Sequence, residues 1–123
     1  MTNKLAQEKA YMLAVEFIDA INTNNKEKLK EKFSVSQAVL DEIYEEIEGF
    51  FGSIPFISLP SIETAFLSRN PRTFFDFYKM DDNLCWGAEC TLFVDGKVAE
   101  PILHLEFIER DNELFLKYKY LGS

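Results

Sequence analysis

A single histidine, two cysteines, one tryptophan and four prolines are all that 123 residues contain of these types, and each scarcity excludes something. With only His104 and two thiols there is no spaced His/Cys cluster, so neither a metal site nor a metal-dependent activity is expected, and no cofactor is implied. Glycine is sparse too, and Gly49 and Gly52 follow a helical stretch instead of opening one, which removes the phosphate-cradling loops. Cys85 and Cys90 sit at odd spacing in one strand-like run. They point to opposite faces and cannot bridge each other. Two thiols without a disulfide suit a reducing compartment, and a cytoplasmic location is the expectation. No apolar run is long enough to span a membrane, and Glu16 and Asp19 interrupt the apolar stretch that a signal peptide would need. Basic residues are outnumbered 13 to 21, giving a net charge of -8. A phosphate backbone would be repelled, so nucleic acid is not an expected partner.

What the chain does have is aromatic and apolar patterning. Twelve phenylalanines bring the aromatic share to 15%. Leu84 to Tyr120 reads as a three-stranded meander: NLCWGAECTLFV, an Asp95-Gly96 turn, PILHLEFIE, an Asp111-Asn112 turn, then ELFLKYKY. Asp-Gly between apolar runs is a strong hairpin signal because both turn positions require positive φ. Two-residue loops fix a register. Val94 faces Lys97, Leu92 faces Ala99, Ala88 faces Leu103, Trp86 faces Leu105 and Leu84 faces Phe107. Across the second turn Leu103 faces Tyr120, Leu105 faces Tyr118, Phe107 faces Leu116 and Glu109 faces Leu114. Opposed residues share a face. One face then carries Leu84, Trp86, Ala88, Cys90, Leu92, Val94, Leu103, Leu105, Phe107, Leu114, Leu116, Tyr118 and Tyr120. The other is mixed, with Phe93, Ile102, His104, Glu106, Ile108, Phe115, Lys117, Lys119 and Leu121.

Ahead of the meander, Ala10, Ala14, Phe17, Ile18 and Ile21 recur at helical spacing, which predicts a helix from about Leu5 to Asn22. A short helix from Lys26 to about Phe33 follows, carrying Leu29 and Phe33. The Ser34-Val-Ser36-Gln37 stretch resembles a capping-box start for a third helix, with Val39, Leu40, Ile43 and Ile47 inward and Phe50 a further inward candidate. Gly49 and Gly52 end it. Pro55, Pro60 and Pro71 break the stretch from Ser53 to Arg72, where Ser61–Phe66 reads equally as a helical turn or an edge strand. Thr73 to Met80 reads as a strand, and Asp81-Asp82-Asn83 as its turn into the meander. The meander cannot offset its own ordering entropy, so the helices must cover its apolar face. The expected fold is α+β in one domain, 1–123, with helices over about 5–52 and an antiparallel sheet over about 73–121.

The run Ala14-Val-Glu-Phe17-Ile-Asp-Ala20-Ile-Asn-Thr-Asn-Asn-Lys-Glu-Lys-Leu29-Lys-Glu-Lys-Phe33-Ser34 is similar to the opening of nuclear-transport-factor-two-like domains. In those a long helix and a short one ending in Phe precede a curved antiparallel sheet. The resemblance implies a cystatin-like, cone-shaped α+β roll whose helices and concave sheet enclose a pocket. The superfamily spans isomerases, dehydratases, transport factors and proteins found beside toxins, so fold alone selects no function.

Candidate sites follow from the faces. Enzymes of that superfamily place an Asp or a His–Asp pair in the cone, whereas His104 falls on the mixed face. Trp86, Tyr118 and Tyr120 are the polar-tipped groups of the candidate pocket. Asp76 would join them if a three-residue turn sets it opposite Ala88, where burial could make it a general base. A one-residue slip instead brings Phe75 and Phe77 inward, as their alternation with Asp76 favours. No catalytic residue is assigned. Asp41, Glu42, Glu45, Glu46 and Glu48 form an acidic helix face with no Lys or Arg between Val35 and Gly52. That face would steer a basic protein partner. The expected function is a non-enzymatic binding module, such as a bacterial immunity protein that neutralises a basic toxin domain like a nuclease. The alternative is a hydrophobic-ligand pocket protein or an isomerase- or dehydratase-like enzyme. Phe93, Ile102, Ile108 and Phe115 on the mixed face are candidates for a homodimer contact.

Overall fold

The computed structural model describes residues 1–67, 73–81 and 84–122. Helices come first. α1 (Asn3–Asn22) is capped by Thr2, whose hydroxyl accepts from Leu5 N, and α2 (Lys26–Glu31) by Asn25, which accepts from Lys28 N. α3 (Gln37–Phe51) is capped by Ser36, and it ends at Gly52 with φ +73°, a left-handed stop that glycine adopts without strain. The expected apolar stripes of all three are buried, but Phe50 is not. It stands 41% exposed at the end of α3, beyond the reach of the sheet.

Between α3 and the sheet, Ser61–Phe66 resolves as one helical turn, α4 (Ile62–Ala65). Residues 68–72, with Pro71, lie outside the description, as do Asp82 and Asn83 of the expected turn. The sheet is antiparallel and open, ordered β1 (Phe75–Lys79), β2 (Cys85–Val94), β3 (Lys97–Arg110) and β4 (Glu113–Gly122). Both tight turns are present, with Asp95, Gly96, Asp111 and Asn112 at positive φ. The α+β class and the order of elements therefore stand.

Register departs from simple counting in two places. Val94 pairs with Lys97 as expected, but beyond an irregularity between Thr91 and Phe93 the partners become Ala88↔Leu105 and Trp86↔Phe107. β3 carries two extra residues there, around Pro101, which has no N–H to give to a ladder. A shift of two leaves every side chain on its expected face. In the last hairpin Leu105↔Tyr118, Phe107↔Leu116 and Glu109↔Leu114 hold, and then Lys119 is inserted as a bulge, so that His104 pairs with Tyr120 and Leu103 with Leu121. A shift of one exchanges the faces. Leu121 goes inward, 6% exposed, and Tyr120 goes out, 46% exposed, which corrects the expected places of both.

The core lies between the inner sheet face and the helices. Phe17 of α1 stacks on Tyr118 of β4 and meets Phe33 edge-on, while Phe77 stacks on Trp86. The proline-rich stretch is tied down from α1. Asn22 holds both main-chain groups of Ile57, Tyr11 Oη donates to Pro60 O at 2.6 Å, and Ser58 forms a one-residue bridge to Phe93.

Candidate functional site

The candidate pocket residues do not converge. Phe75 pairs with Cys90 and Phe77 with Ala88, so β1 takes the slipped register and Asp76 lies opposite Glu89 on the outer face. The expected turn geometry that would have buried Asp76 is corrected by the sequence's own alternation: two Phe side chains gain more from the core than one carboxylate loses by leaving it. Tyr120 is also outside, its ring stacked on His104 at 4.0 Å. Trp86 and Tyr118 alone remain on the inner face. Trp86 is 4% exposed against Phe77, with Lys79 Nζ over its ring at 5.0 Å, and its Nε1 has no hydrogen-bond partner among the described residues.

The core itself leaves no room for a ligand, and the open grooves, of about 590 and 580 Å³, lie between the helices and β4. The void among Phe17, Ile43, Ile47, Leu92, Leu103 and Tyr118 measures about 10 Å³, the scale of one water. Cys90 is fully enclosed, and burial pushes its thiol up, away from the thiolate a nucleophile needs. Neither cysteine is in a disulfide. Among the described residues no group of three or more His, Cys, Asp or Glu is placed to hold a metal ion, and no helix is long and apolar enough to cross a membrane.

The acidic face is better formed than the pocket. α3 buries Leu40, Ile43 and Ile47 and so turns Asp41, Glu42, Glu45 and Glu48 to solvent. None of these four has an ion-pair partner among the described residues, and Asp41 only accepts from Gln37 Nε2 at 2.8 Å. Glu46 differs from the expected solvated position. It is half-buried and accepts from Tyr118 Oη at 3.3 Å. Burial, reinforced by the Glu46 and Glu42 charges, raises the Tyr118 phenol above the ordinary tyrosine range. Four of the five carboxylates are thus free to meet a partner, and the fifth braces α3 on the sheet.

Beside them lies a feature that sequence reading passed over. Phe50, Ile54 and Phe56 are 41%, 48% and 72% exposed where α3 runs into the pinned stretch. Phe56 is presented by its neighbour: Asn22 fixes Ile57 inward, 2% exposed, in an extended segment, so the preceding side chain must point out. A shallow groove of about 320 Å³, lined by Leu40, Asp41, Tyr44 and Ile54 among others, separates this edge of α3 from the end of α1. The signal was available in the sequence, because Phe50, Ile54 and Phe56 fall around prolines and glycines where no periodicity hides them.

The outer sheet face is not one apolar surface. Phe93 is half-buried, its ring edge-on to Phe74 at 5.2 Å, and Ile102 lies near it. Ile108 and Phe115 pair across β3 and β4 at the other end. Between the two pairs stand the Glu106–Lys119 ion pair at 2.8 Å and the His104–Tyr120 stack.

Compared with protein-family models, curated proteins and solved structures, the chain matches none.

Proposed function

We propose that the protein is a non-enzymatic binding module that masks a basic protein domain through α3, in the manner of a bacterial immunity protein against a basic toxin such as a nuclease. One observation carries the reading. Asp41, Glu42, Glu45 and Glu48 stand exposed, without an ion-pair partner among the described residues, on the helix whose end presents the exposed Phe50. Unpaired charge gives long-range steering, and exposed aromatics held on a fixed backbone give the buried anchors that dominate binding energy. The packed core adds support, since its void of about 10 Å³ leaves a small ligand no place there.

The order of helices and antiparallel strands, with register shifts in β3 and β4, supports a divergent nuclear-transport-factor-two-like scaffold. In this reading the cone is closed by its own side chains and the binding has moved to the outside. Action in the cytoplasm follows from masking a toxin where it is made, and it fits two cysteines that form no disulfide.

The test is inhibition. A basic nuclease domain encoded beside this chain should lose activity in stoichiometric complex with it, with an association rate that falls steeply as salt rises. A locus without such a domain, or a nuclease left fully active by excess protein, overturns the proposal.

A further inference from the structure

The free edge of β4 points to a second copy of this chain. Glu109 N donates to Leu84 O at 2.7 Å, on the β2 side, so the Glu109↔Leu114 pair exchanges no hydrogen bonds with its partner. Leu114, and Leu116 two residues on, therefore turn their N–H and C=O groups to the outer edge, where no other hydrogen-bonding group of the described chain meets them. A groove of about 590 Å³ runs along Glu113–Leu116, walled by α1 and by Glu31–Phe33 at the end of α2, with Lys9 donating to Asn112 O and Met12 61% exposed on its wall. The bulge at Lys119 ends the flat run, so about six residues are available for pairing.

We infer that β4 pairs antiparallel with β4 of a second copy about a two-fold axis through Phe115, joining the two sheets into one. The sequence of the edge selects this occupant. Outward backbone groups must meet outward ones, so Leu114 can lie opposite Leu114, Leu116 or Tyr118 of the other copy. Opposite Leu116, the pairing sets Glu113 against Lys117 twice and Phe115 against Phe115, all on the outer face where side chains of non-hydrogen-bonded pairs approach most closely. The neighbouring registers set Glu113 against Phe115, or Phe115 against Lys117. Glu113 and Lys117 are both exposed, and neither has an ion-pair partner among the described residues of its own chain. Met12 of each copy covers the junction from the helix side. The contact is self-complementary and closed, as a two-fold interface requires. Its length places it among small, concentration-dependent interfaces. It uses none of the α3 surface and stands or falls apart from the function proposed above.

Sedimentation equilibrium from about 5 µM to about 500 µM tests it. The unaltered chain should pass from monomer to dimer over that range. Glu113→Lys and Lys117→Glu alone should each weaken the dimer about tenfold, since two attractive pairs become two repulsive ones. The double exchange Glu113→Lys/Lys117→Glu should restore it, and a mixture of the two single variants should form the heterodimer in preference to either homodimer. Both positions are exposed, and unchanged circular dichroism will show that the variants fold. A monomer at every concentration overturns the inference and leaves the edge to an extended peptide of another protein. A dimer indifferent to both charge reversals also overturns it, and places the contact on another face.

Discussion

Asn22 grips Ile57 by both main-chain groups: Nδ2 donates to Ile57 O at 2.7 Å and Oδ1 accepts from Ile57 N at 3.0 Å. This one side chain, at the last turn of α1, decides where the proline-rich stretch lies. It places Ile57 in the core, and through the chain's alternation it places Phe56 in solvent. Replacing Asn22 with Leu would leave two part-buried main-chain groups without partners, at a cost of about 2–4 kcal/mol. Asn22→Asp keeps the acceptor and should cost about half as much. Urea midpoints measure both, and amide exchange at Ile57 should quicken in step. An Asn22→Leu chain as stable as the original would mean the clamp holds nothing.

The bulge at Lys119 makes a sharper contrast. Leu121→Ala removes a core side chain and should destabilise by about 2–4 kcal/mol. Tyr120→Ala removes an exposed ring stacked on His104 and should cost about 1 kcal/mol or less. Simple alternation from Tyr118 predicts the opposite order, so paired thermal melts decide between the two registers.

Much of this was legible before any coordinates, and the failures have definite causes. The turns at Asp95-Gly96 and Asp111-Asn112 announce themselves because their φ requirements are local. The inner face of β2 and β3 survives the irregularity at Pro101 only because two residues were inserted there, and an even shift preserves sides. Lys119 is inserted alone, nothing local marks it, and so Tyr120 and Leu121 exchange places. Asp76 was settled by competition between neighbours, with Phe75 and Phe77 taking the core. The acidic residues of α3 were readable from spacing. The bond that draws Glu46 to Tyr118 was not, since it joins residues brought together only by packing.

Alkaline conditions should weaken the fold through its tyrosines. Burial raises the phenols of Tyr118, Tyr11, Tyr44 and Tyr78, and nearby carboxylates push all but Tyr44 the same way. A group whose folded value lies above its unfolded value contributes stability below the unfolded value, and that contribution is lost as pH rises towards the folded one. Stability should therefore be level up to about pH 9 and fall as pH climbs past about 10, where unfolded tyrosine ionises. Tyr118→Phe should flatten part of that fall while keeping the Phe17 stack. A flat profile to pH 11 in the unaltered chain, an upper limit of about one unit past the unfolded value, would contradict this.

A closed interior has its own signature. Trp86 lies on the inner face, 4% exposed and stacked on Phe77, so its fluorescence should not respond to aromatic or lipid-like ligands. A saturable change would show that the helices lift from the sheet and would revive the pocket reading.

The central claim is that α3 and its aromatic end bind a basic protein. Its most direct test is parallel capture from the cell of origin with the unaltered chain and with Asp41→Lys/Glu45→Lys/Glu48→Lys, positions whose exposure lets the fold tolerate the change. The account predicts one basic protein held by the first and lost from the second, with affinity falling at least about tenfold between about 50 and 500 mM salt. A partner held equally by both chains, or binding indifferent to salt, would contradict it.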